Sequence, residues 1–255
     1  MMKDGYWVIR TYKAGDVGEK IKFWIPNARP SKSSRKIKSD LKKIKQNEAS
    51  AVKRLARVIN ANFGHGDILL GLDYSPEGYE KVCLRANVPA ESHQEPESLE
   101  AIYMAADQEL TNALRRVKRE LEKTGVELRY VAITSDLNGK TGECVRVHHH
   151  LIINAEALSA FIAKWNLGSV QYSTMRRQKD YTDIAVYLIK QVRYLPDAKK
   201  YKSSRNLVRV VPVDRIAKNG SQLRAPKGSV LLHAGEYRPG YPQYIRYILP
   251  ERQNS

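Results

Sequence analysis

Three consecutive histidines, His148, His149 and His150, begin the apolar run H-H-H-L-I-I-N. This composition predicts a β-strand, in which successive side chains point to opposite faces. His148 and His150 then share one face, and His149 lies on the other. Two imidazoles on one face can bind a first-row divalent metal ion and leave positions open for water or a phosphate oxygen. The alternatives are a structural histidine pair and adventitious binding of nickel-type ions.

A third metal ligand would most naturally be a carboxylate, and the sequence offers three. Asp136 is the preferred candidate, because it ends the preceding β-prone run and lies at the rim of the same predicted hairpin. Glu143 should face away from the metal side unless a β-bulge intervenes. Asp73 could approach only if its own strand is adjacent. Each of these carboxylates could instead be a turn residue or a surface charge.

Tyr187 and Lys190 form a second reactive pair, in the segment D-Y-T-D-I-A-V-Y-L-I-K. The pattern predicts a helix capped by Asp180, and residues three apart are neighbours on a helix surface. A phenol with an ordinary pKa of about 10 is a poor nucleophile unless a metal ion or a cation stabilises its anion. Tyr187 is therefore the candidate nucleophile. The alternative is a tyrosine that only packs at the edge of the core.

The elements that must position these residues alternate along the chain. Strands are predicted at 67–74, 126–135, 143–154 and 168–173, and helices at 96–124, 155–165 and from 181 onward. A turn at Ser75 and Pro76 leads into a segment predicted to be irregular. The runs on either side of Asn138-Gly139 predict an antiparallel hairpin, and a further short hairpin is predicted near the N-terminus. The fold class is α+β, with a central antiparallel β-sheet flanked by helices.

Net charge indicates the kind of partner. The 44 Lys and Arg exceed the 27 Asp and Glu and give a net charge of +17, which predicts a polyanionic partner. Nine basic and two acidic residues within 35–57 predict a basic amphipathic helix. A solvated helix face and a membrane-surface helix are the alternatives, although no aromatic anchors line its apolar side. The candidate DNA-binding residues are Lys36, Lys42, Lys43, Lys53, Arg54 and Arg205.

Other classes of protein are disfavoured. No apolar stretch approaches the roughly 18 residues of a membrane span, and no cleavable signal is evident at the N-terminus. Cys83 and Cys144 lie far apart, which argues against a disulfide framework and a thiolate zinc site. We therefore expect a cytoplasmic protein with no membrane partner.

The histidine strand and the tyrosine helix together resemble the HUH endonucleases. More narrowly, residues 57–210 look like the rolling-circle replication initiators of phages and plasmids related to filamentous-phage gene II protein. The resemblance implies that His148 and His150 bind the metal, Mn²⁺ or Mg²⁺, and that Tyr187 attacks a DNA phosphodiester, with Lys190 as the motif lysine. Many relatives carry a Glu near Asp136, so the third ligand stays open.

The resemblance implies an initiator that nicks single-stranded or hairpin origin DNA in a bacterial host and recruits a host helicase and polymerase. Its catalytic domain, with the leading basic helix, would span 35–210, between an N-terminal hairpin with a basic loop (1–34) and a C-terminal extension (211–255). A relaxase or a single-tyrosine transposase would use the same chemistry. A metal-dependent hydrolase without a covalent intermediate and a non-catalytic nucleic-acid-binding protein are the remaining alternatives.

Overall fold

A computed structural model describes residues 4–27, 41–89, 96–139, 141–192, 199–218, 220–235 and 242–251. In chain order its regular elements are β1 (Gly5–Ala14), β2 (Val17–Pro26), α1 (Leu41–Asn62), β3 (Ile68–Leu72), α2 (Pro76–Ala86), α3 (Pro96–Glu122), β4 (Tyr130–Leu137), β5 (Cys144–Ile153), α4 (Leu158–Lys164), β6 (Val170–Thr174), α5 (Thr182–Lys190), β7 (Lys202–Ser203), β8 (Val213–Ala217), β9 (Val230–Ala234) and β10 (Gln243–Ile248). A 3₁₀ turn, Ala155–Ala157, precedes α4. Among these described helices, none combines the length and the apolar character needed to cross a bilayer.

The chain divides into two compact units. The first contains Met1–Asn62, Lys179–Thr182 and Val208–Ser255, and the second contains Phe63–Gln178 and Asp183–Leu207. The predicted α+β class is confirmed, with two antiparallel five-stranded sheets rather than one. The boundaries differ from the predicted ones, because both ends of the chain contribute strands to the same sheet.

The sheet of the first unit has the strand order β8-β1-β2-β10-β9. The tight turn between β1 and β2 places Gly15 at φ +56°, where a side chain would also clash with the carbonyl of Asn60. Helix α1 covers one face of this sheet. There the guanidinium of Arg57 lies 3.5 Å from the ring centre of Tyr12 and forms a 2.7 Å ion pair with the buried Glu19. The N-terminal hairpin that the sequence predicts is therefore part of a larger sheet.

The sheet of the second unit has the order β6-β3-β5-β4-β7 and carries the histidines on β5, its central strand. Helices α2, α3 and α4 contribute to the apolar cluster on one face, with Leu70, Val147 and Leu151 from the strands. Helix α5 lies over the opposite face, because the ring of its Tyr187 contacts that of His150. The antiparallel strands together with these helices give the α+β class.

Helix α2 replaces the irregular segment expected after Ser75. The Ser75 hydroxyl accepts a hydrogen bond from the Gly78 amide, and Pro76 occupies the first turn, as in many helix N-termini. Asn87 ends the helix in the left-handed region at φ 55°. The same Ser-Pro pair that indicates a turn thus also serves as a helix start.

Candidate active site

His148 and His150 lie side by side on the α5 face of β5. Their Nε2 atoms are 3.1 Å apart, and the Nδ1 atom of His148 lies 3.0 Å from the carbonyl oxygen of Arg146. A carbonyl only accepts hydrogen bonds, so Nδ1 of His148 donates the hydrogen bond to Arg146. Nε2 of the same ring then faces Nε2 of His150 at hydrogen-bond distance.

Burial keeps the second imidazole neutral. Desolvation, and then the nearby His148, lower the pKa of His150 to about 4. The side chain of Gln191 forms a hydrogen bond with His150 that partly opposes this shift. Gln191 is only 2% exposed, and its main-chain carbonyl accepts a 2.8 Å hydrogen bond from the buried Ser135 hydroxyl of β4. These contacts fix the amide group against the histidine pair.

The two histidines and Gln191 fit a divalent metal ion. Two ligands at right angles on one ion, each about 2.1 Å away, are about 3.0 Å apart, which matches the separation of the two imidazole nitrogens. Amide oxygens are accepted ligands of hard cations, and the Gln191 side chain contacts His150 here. The described part of the chain holds no group of three His, Cys, Asp or Glu side chains that could bind a metal ion.

Tyr187 stands beside the histidine pair and is open to solvent. Its ring centre lies 5.6 Å from that of His150, and its side chain is 50% exposed. Lys190, at the end of α5, is also exposed. Tyr181, one turn and a half earlier, is buried at 5% exposure and unable to reach a substrate from there. Of the two tyrosines, Tyr187 is therefore the one that solvent can reach.

The structure does not bring the preferred third ligand, Asp136, to the histidines. Ser135 pairs with His148 across the β4–β5 ladder and shares its face, so the next residue points to the opposite side of the sheet. There Asp136 is buried and lines a small pocket with Tyr103 of α3 and Val147. Sequence distance places it at the correct end of the strand, but side-chain alternation places it on the wrong face.

The other two carboxylates also have different surroundings. Strand β3 is adjacent to β5, as a role for Asp73 requires. However, the Asp73 carboxylate accepts a 2.9 Å hydrogen bond from Gln171 of the neighbouring strand β6. Glu143 is exposed immediately before β5. Neither carboxylate belongs to a three-residue metal-binding group within the described chain.

His149 faces the α3 side of the sheet and is fully buried. Its Nε2 atom lies 2.7 Å from the Tyr74 hydroxyl, and its Nδ1 atom lies 3.1 Å from the Thr134 hydroxyl. Desolvation holds the pKa of His149 well below its ordinary value, so the ring is neutral. The middle histidine therefore links β5 to β4 and to the segment that follows β3, while His148 and His150 lie on the other face.

The candidate DNA-binding residues differ in their surroundings. Lys53 packs its amine 3.7 Å from the ring centre of Tyr244, and burial lowers its pKa. It therefore stabilises the packing of α1 rather than facing solvent. Arg54 and Arg205 are exposed. The structure does not describe the side chains of Lys36, Lys42 and Lys43.

Gln191 is the site residue that sequence reasoning missed. Its spacing from Tyr187 could have indicated it, because residues four apart share the same face of a helix. Carboxylates are the more common oxygen ligands, so the sequence points first to Asp136, Glu143 and Asp73. Known proteins offer no further guide, since no family model, curated protein or solved structure matches the chain.

Proposed function

We propose that the protein is a rolling-circle replication initiator that nicks single-stranded origin DNA through Tyr187. The observation that carries this proposal is the exposed phenol beside two imidazoles whose Nε2 atoms lie 3.1 Å apart. A nucleophile and a divalent-cation site at one place are the parts that covalent phosphodiester cleavage needs. Mn²⁺ or Mg²⁺ would be held by His148, His150 and Gln191.

The bond changes balance without another reactant. The Tyr187 oxygen forms a bond to phosphorus, the bond between phosphorus and the 3′ oxygen breaks, and the phenol proton ends on the released 3′ hydroxyl. The product is a 5′-phosphotyrosyl link that stores the energy of the phosphodiester for later rejoining. A divalent cation held by His148, His150 and Gln191 would neutralise charge at the phosphate. Lys190 adds a fixed positive charge on the same helix.

An initiator of this kind would need origin DNA and host replication proteins as partners. The free 3′ hydroxyl is a primer for a host polymerase, and single-stranded or hairpin DNA at the origin presents the scissile bond. The sequence contains no G-x-x-x-x-G-K-[ST] loop, so a host helicase would supply unwinding. We propose the bacterial cytoplasm as the place of action.

The test is formation of a covalent adduct. The protein is incubated with labelled single-stranded oligonucleotides from its own replicon, with Mn²⁺, Mg²⁺ or chelator, and separated under denaturing conditions. We expect an adduct that needs the metal and disappears in Tyr187→Phe. The matched control is Tyr172→Phe, since Tyr172 is a similarly exposed tyrosine of the same unit, at 57% exposure. An adduct that survives Tyr187→Phe would refute the assignment.

Three other outcomes separate the alternatives. Metal-dependent cleavage without any adduct would identify a hydrolase. Binding without cleavage, with or without metal, would identify a nucleic-acid-binding protein. A relaxase or a transposase would give the same adduct, so replication of a plasmid carrying the replicon origin distinguishes the initiator from them.

A further inference from the structure

One face of the first unit's sheet concentrates cationic and aromatic side chains. Strand register assigns Trp7, Trp24 and Lys22 to this face, opposite the face that α1 covers. We call it the basic face. Its cationic and aromatic members are Trp7, Lys13, Lys20, Lys22, Trp24, Arg215 and Tyr247.

The carboxylates of this sheet lie on the other face. Arg10 pairs with Asp214 at 2.7 Å there, and Arg57 pairs with Glu19 at the same distance. Among the described residues of the basic face, strand register places no Asp or Glu. Its positive charge is therefore not neutralised by carboxylates within the face, whereas the charge on the α1 face largely is.

Two lysines of the basic face, Lys20 and Lys22, have main-chain carbonyls as partners, and the Lys22 amine also lies 4.9 Å from the ring centre of Trp7. Lys20 donates a 2.7 Å hydrogen bond to the carbonyl of Arg224, and Lys22 donates to that of Ser221. Burial and the nearby Arg215 lower the pKa of Lys20, as expected where cations are close together. These bonds place Ser221 and Arg224, which belong to the β8–β9 connection (residues 218–229), over this part of the face.

That connection adds further positive charge. It contains no acidic residue, and its three exposed cations are Lys218, Arg224 and Lys227. Lys13 and Arg215, on the strands, are exposed as well. A continuous array of cations without carboxylates favours a polyanion such as a nucleic-acid backbone.

The aromatic pair distinguishes single strands from duplexes. Trp7 and Trp24 pack edge to face with ring centres 5.3 Å apart, and both are partly exposed. A side chain on Gly5 would clash with the Trp24 ring, so glycine leaves the room that this ring occupies. Indole faces bind unpaired bases by stacking, whereas the bases of a duplex are already stacked on one another.

We infer that the basic face is a binding surface for single-stranded DNA, in addition to the nicking site. Phosphates would contact Lys13, Arg215 and the cations of the β8–β9 connection, and bases would stack on the indoles. The choice of DNA rests on the proposed function. The preference for a single-stranded polyanion rests on the charge and the aromatic rings of the face itself.

Intrinsic tryptophan fluorescence tests this inference directly. Trp165 is buried in the second unit at 4% exposure, so quenching by a ligand reports on Trp7 and Trp24. The full chain carrying Tyr187→Phe is titrated, in chelator, with oligo(dT) of about 16 nucleotides and with a duplex of equal length. Nicking cannot occur in this assay, so binding is measured separately from the proposed chemistry.

The decisive variant is Lys13→Glu/Arg215→Glu, and the matched control is Arg115→Glu/Arg119→Glu on exposed positions of α3. We expect the first to weaken binding of oligo(dT) by about tenfold or more and to reduce the salt slope by about 1.4, for two lost phosphate contacts. The control should bind within about twofold of the parent chain, since it alters only the overall charge. Thermal melts of both variants verify folding.

Three results would overturn the inference. The first is tryptophan quenching by oligo(dT) that is absent or does not depend on salt. The second is equal affinity of the two charge-reversal variants for oligo(dT). The third is binding of the duplex that equals or exceeds binding of oligo(dT). Loss of adduct formation with an intact, salt-dependent quench would instead refute the proposed nicking activity and leave the binding surface standing.

Discussion

Replacing Gln191 by leucine should separate metal binding from stability. The amide is 2% exposed, and leucine has a similar volume, so the core stays filled. The substitution removes the hydrogen bond to His150 and the oxygen that would complete the metal site. Loss of such a ligand or supporting contact costs about 10- to 100-fold in metal affinity, or roughly 1.4–2.8 kcal/mol.

Two effects on stability should nearly cancel. Within the described chain, Nε2 of Gln191 is buried without a partner, so leucine removes an unsatisfied polar group, but the lost hydrogen bond to His150 costs about 1 kcal/mol. We therefore expect the free energy of unfolding in chelator to change by no more than about 1 kcal/mol. The rate of adduct formation should fall at limiting Mn²⁺ and recover as Mn²⁺ is raised.

The assay is a Mn²⁺ titration of adduct formation, paired with urea denaturation in chelator. Gln191→Glu keeps an oxygen ligand and should retain metal affinity, while Gln171→Leu, on an exposed neighbouring strand, serves as the control. If Gln191→Leu reacts with an unchanged Mn²⁺ dependence, Gln191 is only a packing residue. A large loss of stability would equally contradict this reasoning.

Three further results are expected. His149→Leu should destabilise the second unit by about 1–3 kcal/mol in urea denaturation, because the buried Tyr74 hydroxyl loses its 2.7 Å partner; an unchanged midpoint would contradict this. Glu19→Gln should lower the free energy of unfolding of the first unit by about 3–5 kcal/mol, because the largely buried Arg57 guanidinium loses its counter-charge. Melting curves followed by far-UV circular dichroism test this, and an unchanged melting temperature would contradict it. Saturating Mn²⁺, at about 100 times its Kd, should stabilise the folded chain by about 2.7 kcal/mol in thermal melts, and His150→Ala should abolish this shift.

The sequence predicts local elements well and their tertiary grouping less well. The predicted hairpin around Asn138-Gly139 and the long α3 are present in the structure, since each is encoded by local periodicity and turn residues. Pairing of β10 with β2 depends on residues far apart in the chain, and no local pattern specifies it. For that reason the N-terminal hairpin and the C-terminal extension were predicted as separate segments.

The candidate site shows the same division. Side-chain alternation along β5 correctly separates His149 from its neighbours, because it is a property of any strand. The position of Asp136 depends on its register with β5, and Ser135 takes the place beside His148 instead. The approach of Gln191 to His150 depends on how α5 packs, which sequence periodicity indicates only as a helix face.

The interleaving of the two units sets an order for synthesis. The second unit lies between segments of the first, and contacts such as Arg10 with Asp214 join residues 204 positions apart. On the ribosome, the second unit therefore emerges before β8, β9 and β10, the three strands that complete the sheet of β1 and β2. Since domains fold as they emerge, the N-terminal hairpin must wait with unpaired edges until the last strand is made. Premature termination near residue 210 would then yield a chain with the second unit present and the basic face incomplete.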